Sequence, residues 1–138
     1  MLIAVECKDV YLKDFVYDGV EAKLLKSVDV KELIKFYAAI GDGFLGVIDG
    51  GKVIGAGGIY PVIAGGGVGW LFANKEAKNH KKSVLRLLRN GWDEIIKKRN
   101  YVSIQAICLA DSLEANVLIE HLGFKKQAKM ISYIKEIL

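Results

Sequence analysis

Two cysteines in 138 residues, Cys7 and Cys108, lie far apart with no CxxC spacing, and two histidines, His80 and His121, complete the soft-ligand inventory. A disulfide framework and a structural zinc site are therefore not expected. No apolar run approaches the roughly 20 residues that span a bilayer. The opening stretch Met1 to Lys8 carries Glu6 and lacks the basic region and apolar core of a secretory signal. These absences predict a soluble, cytoplasmic protein with no membrane partner. Repeats and low-complexity tails are missing too. What remains is a chain that is 52% hydrophobic and 26% charged, a balance that supports a real core and excludes global disorder. Its length suits one domain, 1–138.

Glycine and charge are unevenly placed. Twelve of the 15 glycines fall between Gly41 and Gly69, as does the lone proline, Pro61. That stretch predicts turns joining short strands. Phe44 to Ile48 and Lys52 to Tyr60 flank the hairpin signal Asp49-Gly50-Gly51. After a second turn at Gly65-Gly66-Gly67, Val68 to Ala73 reads as a third strand, buried on both faces. Helical spacing of Val30, Leu33, Ile34, Tyr37 and Ala38 predicts a helix over Asp29 to Ile40, with Ser27 or Asp29 as N-cap and Gly41 past its end. A longer helix is predicted from Asn79 to Arg99, its apolar stripe running through Val84, Leu85, Leu88, Trp92, Ile95 and Ile96. Tyr101 to Leu109 follows as a strand, Ser112 to Leu122 as a short helix ended by Gly123, and Lys129 to Ile137 as a closing strand. The N-terminal Leu2 to Lys26 reads as strand-like pieces around a turn at Tyr17-Asp18-Gly19, with Val20 to Leu25 the clearest.

The formal charge of +4 conceals a basic segment: Lys75 to Arg99 holds nine Lys or Arg against three acids, leaving the rest of the chain at −2. A local anionic partner such as phosphate would account for it, and so would a solvated helix face.

The element order predicts an α+β fold, an antiparallel meander leading into one parallel βαβ crossover, flanked by helices. The C-terminal run Ser112-Leu-Glu-Ala115-Asn-Val-Leu118-Ile119-Glu-His-Leu122-Gly123-Phe124 resembles the terminal motif N-x-x-A-x-x-L-Y-x-x-L-G-F of the GCN5-related N-acetyltransferase (GNAT) family. With Val20-Glu-Ala-Lys-Leu-Leu as a first strand, the double hairpin, and the strand-loop-basic-helix at Trp70 to Leu88, the resemblance spans Val20 to Leu138. It implies a GNAT-like mixed central sheet and a divergent small member, similar to those of bacteriophages. It also implies acetyl-CoA as cofactor and an amine, on a small molecule or a protein, as acceptor, and it leaves a homodimer open.

In that family the cofactor lies where the fourth strand splays from the fifth, its pyrophosphate on backbone amides at the start of the next helix, a general anion-binding arrangement. The resemblance places the cofactor at Leu71, Phe72 and Ala73 and along Lys78, Asn79, His80, Lys81, Lys82 and Ser83. Lys75, Lys78, Lys81 and Lys82 add charge where phosphates would lie. The departures are as definite. The phosphate motif R/Q-x-x-G-x-G/A falls on Ala77, Lys78, His80 and Lys82, and retains none of its signature residues. The tyrosine that protonates the departing thiolate falls on Ile119, which cannot act as an acid. The motif asparagine falls on Ser112, with Asn116 one turn later, and no carboxylate occupies Val68 to Ala73. Ser112, Asn116 and Tyr60 are the remaining polar candidates for the catalytic centre.

Plainer readings stand beside these: His80 and His121 as surface polar residues, Cys108 as a small hydrophobe, and Trp70 and Trp92 as core. Three functions are carried forward. They are N-acetyl transfer from acetyl-CoA to an amine, a catalytically degenerate GNAT-fold binding or assembly protein of phage type, and a nucleic-acid binder using Lys78, Lys81, Lys82, Arg86 and Arg89. The last lacks an aromatic residue on that face.

Overall fold

The computed structural model describes residues 1–13, 15–18, 29–106 and 113–125. Expectations for Val20 to Leu25, Cys108, Ser112 and Lys129 to Ile137 lie outside these residues. The described chain runs β1 (Ile3–Glu6), α1 (Asp9–Leu12), α2 (Val30–Ile40), β2 (Asp42–Val47), β3 (Val53–Pro61), β4 (Gly66–Ala73), α3 (Lys81–Arg99), β5 (Ser103–Ala106) and α4 (Leu113–His121).

The five strands form one sheet in the order β1-β2-β3-β4-β5, every pair antiparallel except β4 with β5. This is the expected mixed sheet with one parallel crossover, made by α3. The meander is longer than expected, four strands in place of three, because Ile3–Glu6 pairs with Phe44–Val47. The turn before β4 also sits earlier. Ile63–Gly65 forms it as a 3-10 turn, with Ala64 in the left-handed region at φ 61°, so Gly66 and Gly67 already belong to the strand. Within the N-terminal region, Asp9–Leu12 is a single helical turn where a strand piece was expected.

Local signals explain the other boundaries. Asp29 caps α2, its carboxylate accepting from the N–H groups of Lys31 (3.1 Å) and Glu32 (3.3 Å). Gly41 follows its last residue, where any side chain would collide with the Ile59 carbonyl oxygen. The β2–β3 hairpin turns through Gly50 (φ 90°) and Gly51 (φ 81°), conformations that glycine adopts without strain. Asn100 closes α3 in the left-handed conformation, φ 56°. Arg99 Nε and Lys98 Nζ, in the last turn of α3, reach the Asp42 carboxylate at 2.7 and 3.0 Å and tie the helix end to the start of β2.

Each face of the sheet carries its own core. Leu45, Val47, Ala56, Trp70 and Phe72 project toward α1 and α2, meeting Leu12, Phe15 and Ile34. Ile59 projects the other way, meeting Leu88, Trp92 and Ile95 of α3, with Leu118, Leu122 and Phe124 packed around them. On this second face the sheet presents Gly55, Gly57, Gly67 and Gly69, so aromatic rings approach the backbone closely. A Cβ on Gly69 would lie 3.0 Å from the Trp92 ring, and one on Gly91 of α3 would lie 2.5 Å from that of Phe44.

Candidate active site

The site is organised by β4. On one side β4 pairs with β3 from Gly67 to Ala73. On the other, the described pairing with β5 covers only Gly66 to Gly69, whose last partner is Ala106. The three β4 residues expected at the cofactor therefore separate by direction. Phe72 is buried among Tyr17 (ring centroids 5.5 Å) and Trp70 (6.2 Å) on the α2 face, so its ring belongs to the core. Leu71 and Ala73 point to the α3 face, where with Gly55, Ala77, Val84 and Leu88 they line a small apolar cavity of about 20 Å³.

Asn74 closes the strand. Its N–H donates to the Ile54 carbonyl at 3.0 Å and its side-chain amide to that of Val53 at 3.4 Å, leaving its Oδ1 buried with no partner. Lys75–His80 then coils as a 3-10 segment, and α3 begins at Lys81. The expected helix start at Asn79 is corrected by two residues. The polar run KEAKNH has no apolar stripe to dock, and the tighter coil keeps it over the end of the sheet. Two acids enter this turn. The Asp18 carboxylate accepts the Lys75 N–H at 2.7 Å, and Glu76 lies 3.6 Å from His80 Nε2 and 3.5 Å from Asn79 Nδ2.

His80 occupies the N-cap of α3 without making a side-chain cap. The first-turn N–H groups thus have no side-chain acceptor from that position, and the positive end of a 19-residue helix opens toward solvent. Lys78, Lys81, Lys82, Asn79 and Ser83 are exposed around it. An exposed helix start ringed by lysines suits an anion; the turn contains no glycine to let one press against the backbone.

Of the catalytic candidates, Tyr60 lies on the α2 face opposite Val68 of β4, its ring stacked on Tyr37 at 4.8 Å and 21°. Tyr37 also meets Trp70 at 5.7 Å. Burial, with the neighbouring Tyr60 adding to it, pushes the Tyr37 hydroxyl above the ordinary tyrosine range. Ser112 and the side chain of Asn116 lie outside the described residues, so Tyr60 is the candidate whose surroundings are defined. Sequence reasoning missed Asp18, for which no pattern points to a residue 57 positions away. It assigned Trp92 to the core and missed that its indole nitrogen is left without a partner. Among the described residues no cluster of His, Cys, Asp and Glu could hold a metal ion, and no helix is long and apolar enough to cross a membrane.

No sequence-family model matches the chain, and no curated protein matches it by sequence. Its likeness to known proteins is structural. It superposes on AAC(6')-Iy with a TM-score of 0.70 over 99% of both chains, at 13% identity. The fold is that of the GNAT acetyltransferases. A GNAT-family acetyltransferase from Staphylococcus aureus Mu50 superposes with a TM-score of 0.70 at 16% identity, covering 99% of this chain and 94% of the other. The aminoglycoside 6'-N-acetyltransferase AAC(6')-Ih from Acinetobacter baumannii does so with a TM-score of 0.66 at 15% identity, covering 99% of each. AAC(6')-Iy is in complex with a bisubstrate analog, CoA-S-monomethyl-acetylneamine. In this GNAT-fold chain the lysine-ringed start of α3 follows β4 through the 3-10 segment Lys75–His80.

Proposed function

We propose that this chain is an acyl-CoA N-acyltransferase that moves an acetyl group from acetyl-CoA to an amine on a small molecule or a protein. The observation that carries the reading is the start of α3, which has no side-chain cap from His80 and is ringed by exposed Lys78, Lys81 and Lys82, one short 3-10 segment beyond the end of β4. These residues fit the phosphates of coenzyme A in charge and in backbone donors. Lys78, Asn79, Lys81, Lys82 and Ser83 would hold the phosphates, and β4 from Leu71 to Ala73 would flank the arm. Bound acetyl-CoA supplies an activated thioester.

The chain's own contribution to catalysis is positioning. With Ile119 where the family places its acid, and no carboxylate on β4, Tyr60, Ser112 and Asn116 are left to orient the amine or a water. Holding two reactants in attack geometry is worth about 7 to 11 kcal/mol in favourable cases, so transfer does not require a dedicated base when the amine arrives neutral.

Calorimetric titration of acetyl-CoA tests the reading. Micromolar binding is expected, weakening as salt rises and when Lys78 and Lys81 are both replaced by glutamate. Silence at millimolar cofactor removes it. A second reading, a GNAT-fold binding protein without catalysis, is favoured by one observation: Asp18 and Glu76 place carboxylates in the turn where phosphates would bind. Cofactor binding without acetyl transfer to any of a panel of primary amines would support that alternative.

A further inference from the structure

The turn between β3 and β4 projects an apolar tip from the end of the sheet opposite the lysine-ringed start of α3. Ile63 is 90% exposed, Val102 79% and Val62 48%. The three stand together. The Val62 N–H donates to the Gly66 carbonyl at 3.0 Å and the Val102 N–H to that of Gly65 at 2.9 Å, so the entry to β5 is joined to the turn. A methyl of Val102 and one of Val62 lie 3.1 and 3.2 Å from where a Cβ on Gly65 and on Gly66 would be. Ala64 holds the turn in the left-handed region at φ 61°, which glycine adopts freely and alanine only at a cost. Neither that strain nor the exposure of Ile63 serves the fold, and both point to a use outside it. Cations lie beside the tip. α3 ends in Lys97, Lys98 and Arg99, all exposed, three residues before Val102. Lys98 and Arg99 share the Asp42 carboxylate, whereas Lys97 makes no ion pair among the described residues, so three cations face one acid. The eight residues of β4, about 26 Å of strand, separate this end from the turn assigned to phosphate.

We propose that this end of the molecule docks on an anionic lipid bilayer, with Ile63, Val62 and Val102 entering the headgroup boundary and Lys97, Lys98 and Arg99 meeting acidic headgroups. Apolar area and positive charge side by side are the two terms that hold a protein on such a surface. Charge selects the occupant. A twofold contact with a second copy would set the three cations of one chain against the three of the other, a juxtaposition that costs affinity. An acidic bilayer neutralises them and yields to a protruding tip. Among the described residues no helix is long and apolar enough to cross a membrane, and a surface contact of this kind needs none. The proposal is independent of the acyltransferase reading, because none of its residues lies at the start of α3.

Co-sedimentation of the full chain with vesicles tests it. At low salt the protein should pellet with vesicles of equal parts phosphatidylcholine and phosphatidylglycerol, stay in solution with phosphatidylcholine alone, and be released as salt rises. Ile63→Ser should weaken binding about tenfold. Lys97→Glu should weaken it about fivefold or more. Both side chains stand in solvent, so neither change should move the melting temperature. Ile3→Ser removes an equal, half-exposed side chain from β1, paired at the other end of the sheet, and should bind like the wild type. In Ile63→Trp the introduced indole should shift its emission to the blue on binding and be quenched by brominated lipid. No pelleting with the mixed vesicles at low salt, or equal binding by Ile63→Ser and the wild type, overturns the proposal. So does self-association in analytical ultracentrifugation that Ile63→Ser abolishes, since a second copy would then cover the tip. Titration of acetyl-CoA into the same variants reports the acyltransferase reading separately, and it should be unchanged by all of them.

Discussion

The carboxylate of Asp18 accepts the backbone N–H of Lys75 at 2.7 Å, which places an anion of the protein's own at the entrance of the turn assigned to phosphate. The contact holds the N-terminal segment to the end of β4 and sets a negative charge at Lys75, the first lysine of the turn. Asp18→Asn keeps an acceptor for the N–H and removes the charge. Under the proposed function the variant should bind acetyl-CoA several-fold more tightly at low salt, and the gain should shrink as ionic strength rises. Calorimetry at two salt concentrations measures both. An affinity that falls or does not change would mean that Asp18 serves only to fasten the turn.

A second prediction concerns Ile119, in the last turn of α4, where the family resemblance expects a tyrosine. General acid catalysis contributes typically about 10²- to 10⁴-fold, so the wild type should turn over slowly even when saturated with cofactor. Ile119→Tyr should raise transfer or thioester hydrolysis with little change in cofactor affinity. The release of free thiol, followed with a colorimetric reagent, reports it. A fast wild type slowed by the substitution would place the acid elsewhere.

Much of this architecture was legible in the sequence because local signals and tertiary packing agree. Asp29 begins α2 where the periodicity starts, Gly50 and Gly51 supply the two positive-φ positions of the hairpin, and the Val84 to Ile96 stripe becomes the sheet-facing side of α3. The parts left unplaced or misread have little periodicity. Ile3–Glu6 is mostly exposed, and its pairing with β2 comes from about 40 residues away, as at Val5 and its partner Leu45, beyond the reach of any window. Lys75–His80 holds one apolar residue, Ala77, and cannot announce a coil. At the site, charge was visible as a run of lysines. The exposure of Asp18 to that run, and the unpaired nitrogen of Trp92, are consequences of three-dimensional closure that spacing does not encode.

The Asp42 carboxyl yields a pH prediction. Burial alone would raise it, but hydrogen bonds from Arg99 and Lys98, with their charges, outweigh burial and hold it below the ordinary carboxylate range. A carboxyl depressed in the folded state adds stability above its unfolded value, about 3.9, and loses it as pH falls through the lower folded value. Wild-type melting temperature should therefore decline on acidification below about pH 4. Asp42→Asn should melt lower at neutral pH and decline less over the acid range, as followed by circular dichroism.

Gly91 gives a stability prediction that opposes helix propensity. Inside a helix, alanine is ordinarily favoured over glycine by about 1 kcal/mol. Here the added methyl would stand 2.5 and 2.6 Å from ring atoms of Phe44. Gly91→Ala should destabilise the protein by about 1 to 3 kcal/mol, the usual cost of overpacking. Denaturant unfolding checks it, and a double variant with Phe44→Leu should recover part of the loss.

Phe44 seated at Gly91 and Trp92 seated on Gly69 also act as index pins for α3. A helix that lies on a smooth apolar sheet can creep along its axis; two rings lodged in glycine hollows oppose that, because α3 holds no second glycine to receive Phe44. The distance from Gly91 back to Lys81 is ten residues, about 15 Å of helix. The place where the lysine-ringed end of α3 halts above β4 is thus gauged at the middle of the helix, about three turns from the lysines. Wear at those pins would register as a misplaced phosphate contact before it registered as a change of fold.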